Sequence, residues 1–201
     1  MHSTSPKHEL RKLARSRRAA ISPKQRLDAA LALIRHARSG RMLRPGRKIA
    51  AYVPHGSEFP VWPLVLKALQ AGCRIYLPVV PASGRRLAFC RFDQHTVWRS
   101  GAYGIPEPHH PETCAARDLD LVLVPLLAFD AQLYRMGQGG GYYDTTFAFR
   151  RQRRHWRKPR LVGVGFECQR FEHLPTDHWD MRLDAILTEA GWQYPDSLIR
   201  P

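Results

Sequence analysis

The chain has 201 residues, 44% of them hydrophobic, and a formal net charge of +15 with histidines counted neutral. That is the size of one ordinary domain with enough apolar content for a real core, which excludes a disordered polymer. No stretch reaches the roughly 18–20 continuous apolar residues of a membrane span, and MHSTSPKHELRKLARSRR lacks the apolar segment of a secretory signal, so a soluble, cytoplasmic protein is expected.

Lys7 to Ala20 contains no glycine or proline and sets Leu10, Leu13, Ala14 and Arg17 at helical spacing, which predicts a first helix. Ser22 then Pro23 read as an N-cap and first helical position, opening a second helix to about Arg38. Gly40 and Arg44-Pro45-Gly46 break it. Lys48 to Val53 reads as a buried strand, Val61 to Gln70 as a helix closed by Gly72, and Arg74 to Val80 as the next strand. That β-α-β unit implies parallel neighbours and a right-handed crossover. Leu87 to Phe92 is a further strand, and 100–113 (SGAYGIPEPHHPET) is loop by composition. Leu119 to Val124 is apolar enough for the centre of a sheet. A loop follows, then a helix over Tyr143 to Gln152, a strand over Leu161 to Phe166 and a short strand over Ala185 to Thr188. The expected fold is a single α/β domain over residues 1–201, with a mostly parallel central sheet flanked by helices and a helical N-terminal extension over about 6–38.

Two stretches carry much of the charge, RKLARSRR at 11–18 and RRQRRHWRKPR at 150–160. Such a field attracts nucleic acid, nucleotide phosphates or a polycarboxylate; it is equally what a solvated basic face looks like. The cysteines at 73, 90, 114 and 168 form no CxxC pair and read as reduced packing residues, and His109, His110 and Cys114 match no standard zinc spacing.

The stretch RMGQGGGYYD at 135–144 follows the central strand and opens a helix. Glycines let backbone approach a phosphate without Cβ atoms in the way, and Arg135 adds a forked donor. Asp144 would repel phosphate unless a magnesium ion sits between them. Tyr142 and Tyr143 offer flat faces for a heterocycle. GxxxxGK[ST] is absent, and a GxGxxG motif starting at Gly137 fails at Tyr142. A tight glycine turn with tyrosines packed on the core would look the same.

Taken with KHELR (7–11), YVPHGSE (52–58), YGIPEP (103–108), VPLLAFD (124–130) and HWDMRLDAILTE (178–189), this stretch makes the chain resemble the 5-formyltetrahydrofolate cyclo-ligase family from about Lys7 to Glu189. The resemblance implies ATP- and Mg2+-dependent closure of 5-formyltetrahydrofolate to 5,10-methenyltetrahydrofolate, through phosphorylation of the formyl oxygen and attack by N10. It implies ATP contacts from Lys7, Arg11, Arg135, Met136, Gly137, Gln138, Gly139, Gly140, Gly141, Tyr142 and Tyr143, with Arg135 and Tyr143 also catalytic. Substrate contacts are implied for Val53, Glu58, Gln138, Gly139, Gly140, Gly141 and Tyr142, and magnesium carboxylates at Asp144 and Asp180, with Asp177 and Asp184 as nearby rivals. Some relatives carry basic residues where this chain has Gln138 and Gly140, which leaves more of the phosphate charge to Lys7, Arg11 and Arg135. Expected partners are a reduced folate and ATP, with no membrane and no nucleic acid, and the expected state is a monomer. The alternatives are a basic RNA-binding protein and a non-catalytic folate or nucleotide binder of the same fold.

Overall fold

The computed structural model describes residues 6–152 and 158–195. In chain order these form α1 (Pro6–Ala19), α2 (Pro23–Ser39), β1 (Lys48–Ala50), α3 (Trp62–Gln70), β2 (Arg74–Val79), β3 (Ala88–Phe92), β4 (Val97–Ser100), β5 (Pro106–His109), β6 (Thr113–Cys114), β7 (Leu121–Pro125), β8 (Ala128–Phe129), β9 (Arg135–Met136), α4 (Tyr142–Thr146), β10 (Arg160–Val164), β11 (Ala185–Thr188) and β12 (Gly191–Gln193). Eight strands build one sheet in the order β12-β11-β10-β7-β1-β2-β3-β6. The five central strands run parallel, and the antiparallel pairings lie outside them. The β1-α3-β2 unit leaves β1 to one side, while β7 returns to pair with its other side. Strand order therefore reverses between β1 and β7, and in open α/β sheets ligands gather in the crevice at the carboxyl ends of such a pair.

The two sheet faces are covered differently. On one, Ala29, Leu33 and Ala37 of α2 and Leu64, Val65 and Ala68 of α3 pack on Ile49, Ile75, Leu121 and Val162. Each fully buried Leu or Ile there contributes about 1.5–3 kcal/mol. α2 begins where Ser22 and Gln25 cap one another reciprocally, with Ser22 N donating to Gln25 Oε1 at 2.9 Å and Gln25 N to Ser22 Oγ at 3.3 Å. The opposite face is covered by Phe89, Phe129, Phe147, Met181 and Leu183, mostly from irregular segments. α1 belongs to neither layer. Its Ala14 and Leu10 pack on Leu127, Ala128, Met136 and Leu174 beside the β8-β9 hairpin, while Leu13 is exposed.

Three expectations change. The strand over 48–53 is regular only to Ala50; Ala51 N still donates to Tyr76 O at 2.9 Å, after which the chain turns away to form the crevice rim. The region expected to be loop, 100–113, holds β5 and the start of β6, and β5 forms a hairpin with β4 just before it, pairing Val97 with His109 and Ser100 with Pro106. Proline is tolerated in β5 because that two-stranded ribbon has a free edge. The helix expected over 143–152 is α-helical only to Thr146 and continues as a 3-10 turn over Ala148–Gln152. Phe147 and Phe149 both pack toward the sheet, and residues two apart do not share a face of an α-helix. No described helix is long and apolar enough to cross a membrane.

Candidate functional site

Two adjoining cavities open at the carboxyl ends of β1 and β7. The larger, about 680 Å³, is lined by residues including Tyr52, Val53, Glu58, Ile105, Tyr142 and Tyr143. The smaller, about 150 Å³, runs beneath the glycine loop from Leu126 to Arg135 and Asp144. Glu58, Pro125, Gln138, Gly140, Tyr142 and Tyr143 border both.

The loop between them is anchored from below. Asp130, 2% exposed, accepts from Tyr134 N at 3.0 Å and Leu174 N at 3.2 Å, which fixes the turn from β8 to β9. Gln169, fully buried, donates to the carbonyls of Leu126 and Leu127 at 2.8 and 2.9 Å and holds the floor of the smaller cavity. Strand alternation in β9 then separates two neighbours: Arg135 lines the smaller cavity, while Met136 is buried under α1 and lines neither. Of the residues assigned to ATP, Met136, Lys7 and Arg11 line neither cavity, and Met136 packs against α1. The Arg135 side chain, 6% exposed, donates through Nη2 to Asp144 Oδ1 and through Nη1 to the Met181 carbonyl, both at 3.1 Å. Met181 N returns a bond of 3.1 Å to the same Asp144 oxygen.

α1 presents a row of cations, of which the middle two touch this loop. Lys7 Nζ meets Asp177 Oδ2 at 2.5 Å and Asp180 Oδ2 at 3.5 Å. Arg11 Nε donates to Gly137 O at 3.2 Å, and Arg15 donates to Gln138 Oε1 at 3.0 and 3.2 Å. Arg18 Nε donates to Ser57 Oγ at 3.0 Å. Steps of four, four and three residues keep all four side chains on one helix face. Burial pushes the Lys7 ammonium down, but the hydrogen bond from Lys7 to Asp177 and the charges of Asp180 and Asp177 outweigh it, and the net shift is upward.

Within the larger cavity, burial raises the Glu58 carboxyl above its ordinary range, although the His55 N–H, at 3.1 Å, and the Arg18 charge pull the other way. Burial, and secondarily the Glu58 charge, drives the Tyr143 hydroxyl well above the phenol range; Tyr52 is raised by the same two causes. Both tyrosines remain protonated donors at neutral pH. At the cavity mouth Tyr103, 71% exposed, meets the Tyr142 hydroxyl at 2.8 Å.

Asp144 and Asp180 are brought into one neighbourhood through the backbone of Met181. Both bonds to Asp144 fall on Oδ1, and those to Asp180 on Oδ2. The second oxygen of each accepts nothing among the described residues. Two carboxylates suit a magnesium ion whose other positions come from phosphates and water, not an all-protein cage. No group of three or more His, Cys, Asp or Glu among the described residues could hold a metal ion.

Of the two rival acids, Asp177 joins the site through Lys7, whereas Asp184 does not. Asp184 takes both oxygens to Arg150 at 2.7 and 2.8 Å and accepts from Leu161 N at 2.7 Å, tying β10 to the segment before β11. The basic stretch at 150–160 is partly internal as well: Arg151 donates to Trp179 O and Lys158 pairs with Asp120 at 2.6 Å, while 153–157 lie outside the described residues. Arg15, Arg18, Tyr52 and Tyr103 also line the crevice and were missed. Continuing the Lys7–Arg11 spacing along α1 would have found the two arginines.

Comparison with known proteins points to one family. Residues 3–189 match the model of the 5-formyltetrahydrofolate cyclo-ligase family. The chain is 30% identical over 190 residues to the 5-formyltetrahydrofolate cyclo-ligase of Haemophilus influenzae, covering 92% of this chain and 98% of that one. It is 30% identical over 192 residues to the enzyme of that name from Escherichia coli, covering 90% and 100%. The solved structure of Aquifex aeolicus 5,10-methenyltetrahydrofolate synthetase superposes with a TM-score of 0.79 at 31% identity, covering 94% of this chain and 93% of that one. The chain belongs to the 5-formyltetrahydrofolate cyclo-ligase family.

Proposed function

We propose that this member of the family closes 5-formyltetrahydrofolate to 5,10-methenyltetrahydrofolate at the expense of ATP, releasing ADP and phosphate. The observation that carries the proposal is the junction of the two cavities at the glycine loop. One is wide, with aromatic and apolar walls suited to a folate; the other is narrow and bordered by glycine backbone, Arg135 and Asp144. The chemistry needs the two substrates to meet, because a formamide oxygen leaves poorly until it carries phosphate. The formyl oxygen takes the γ-phosphoryl group of ATP and ADP departs. N10 then attacks the formyl carbon, the C–O bond breaks, phosphate leaves, and N10 gives up its proton. Such a reaction relies on positioning and charge neutralisation more than on a protein nucleophile.

Gly137 to Gly141 bring bare backbone to the phosphates, with Lys7, Arg11 and Arg135 supplying positive charge. A magnesium ion arriving with the nucleotide would neutralise phosphate charge between Asp144 and Asp180. Glu58 accepts ring N–H groups, Val53 lines the folate, and Tyr142 stacks on it. Tyr143, held protonated, donates its hydroxyl at the junction, where the formyl and phosphoryl oxygens meet. The direct test mixes the protein with 5-formyltetrahydrofolate, ATP and magnesium and follows the near-ultraviolet absorption of the methenyl product. Product only in the complete mixture is expected; no product from folded protein would overturn the reaction.

A further inference from the structure

Arg18 is the most deeply buried charged side chain of the larger cavity, 4% exposed, and most of its hydrogen-bonding capacity is unspent. Its Nε donates to Ser57 Oγ at 3.0 Å, and among the described residues its two Nη groups donate to nothing. They are not sealed off either: neither is among the fully buried side-chain nitrogens that lack a partner. An ionised guanidinium is costly to bury unless its donors are satisfied. Arg18 lines an apolar cleft, so the four N–H bonds of its Nη groups are available to something that enters it.

The surroundings hold this group still. Arg26, stacked over the Phe166 ring at 5.3 Å, donates to three carbonyls: Arg18 at 2.6 Å, Ser57 at 2.8 Å and Ile21 at 3.2 Å. One guanidinium thus locks the backbone of Arg18 to that of Ser57. Ser57 is followed directly by Glu58, which borders both cavities. The arrangement sets an acceptor-only carboxylate beside a donor-only guanidinium in one rigid rim. Burial lowers the Arg18 pKa and the Glu58 charge partly restores it, as expected of groups near enough to sense one another.

We propose that Arg18 and Glu58 together read the amide edge of the substrate ring, Glu58 accepting the neighbouring amino and ring N–H groups and Arg18 donating to the adjacent ring carbonyl oxygen. The cleft then selects a 2-amino-4-oxo heterocycle and rejects one with an amino group in place of that carbonyl, because two donors would face each other. A site built around a hydrogen bond discriminates far more strongly than an apolar wall does. The inference rests on the reading of the large cavity as the folate site; Arg18 is a binding residue, with Arg26 positioning it.

The test measures KM and kcat for 5-formyltetrahydrofolate and its 2,4-diamino analogue, with the full chain and with Arg18→Leu and Arg18→Lys. The wild-type protein should favour the oxo compound by at least about tenfold. Arg18→Leu should raise KM for the oxo compound by about 10–100-fold, change kcat less, and leave the diamino analogue unchanged or tighter, so that the preference collapses. Arg18→Lys, which keeps the charge without the fork, should restore part of it. If Arg18→Leu does not fold, the Arg18→Lys preference decides and must fall below that of wild type. Equal weakening of both ligands would show that Arg18 only braces the Ser57 loop and overturn the inference. A rise in the ATP KM in place of the folate KM would make it a phosphate contact and overturn it as well. Wild-type protein that turns over no 5-formyltetrahydrofolate would instead sink the proposed function itself.

Discussion

Replacing Asp144 by asparagine removes one charge and keeps the shape. An asparagine oxygen can still accept from Arg135 Nη2 and Met181 N, which lie at 3.1 Å in the native protein. What disappears is the counter-charge of a guanidinium whose side chain is 6% exposed, while that of Asp144 is 24% exposed. Removing one partner of a fully buried ion pair costs about 3–5 kcal/mol. Here the acceptor survives and water reaches one side, so a loss of about 1–2 kcal/mol is expected. For a chain of this length each kcal/mol moves the melting temperature by about 2–4 °C, so the variant should melt about 2–8 °C lower and still fold. Turnover should fall much further, by about 10²–10³-fold or more, because charge placed at a reacting phosphate is among the largest catalytic contributions. Melting curves with and without magnesium and ATP separate the two effects. Saturating ligand at about 100 times its Kd adds about 2.7 kcal/mol to the native protein, and Asp144→Asn should lose most of that increment. Turnover within about twofold of wild type, with the ligand-induced shift intact, would refute the assignment of Asp144 to the nucleotide.

Three further changes probe the other parts. Lys7→Ala frees Asp177 and Asp180 and removes a cation; the ATP KM should rise by about tenfold or more and the folate KM by less, in initial-rate measurements. Glu58→Gln should weaken folate and stabilise the free protein near neutral pH. The Glu58 carboxyl is raised in the folded state, so its contribution is full below its unfolded value near 4.5 and lost as pH rises through the folded value. Melting temperatures from pH 4 upward should therefore fall less steeply in Glu58→Gln than in wild type. Gly139→Ala places a side chain at a φ of +109°, costing about 1–3 kcal/mol. It should lower the melting temperature and raise the ATP KM, with far-ultraviolet circular dichroism unchanged.

The parallel sheet was legible because its central strands are short apolar runs between helices with ordinary caps. Leu121 to Val124 is buried on both sides, and only a central strand reads that way. The glycine loop was legible because four glycines in five residues next to paired tyrosines have few structural uses. Irregular segments were harder. β4 and β5 pair through alternating prolines, which propensity counts as loop. Glu107 looked like part of that loop, yet its Oε1 accepts from Val80 N at 3.0 Å, a contact no local pattern encodes. Arg18 was hidden for a different reason. In sequence it is one arginine among five basic residues at 11–18, and only the turn of α1 against the crevice separates it from Arg17, which lies over Phe171 at 4.6 Å.

That turn also explains why a chain without basic residues at positions 138 and 140 keeps a positive site. The loop contributes glycine and a neutral amide, and the charge comes from outside it, from α1 on one side and Arg135 below. Arg15 binds the Gln138 amide oxygen, and Arg11 the Gly137 carbonyl, so cations stand beside the loop without side chains growing out of it. Cβ-free backbone and dense positive charge compete for the same space when one segment must supply both. Placing the charge on a separate helix removes the competition, and under the proposed function the docking of α1 through Ala14 and Met136 is expected to be a condition of ATP binding as well as of stability. Truncating the chain before Arg15 should therefore abolish the stabilisation by magnesium and ATP in melting curves. Retention of that shift by a folded, truncated protein would show that Arg135 and the glycine loop suffice.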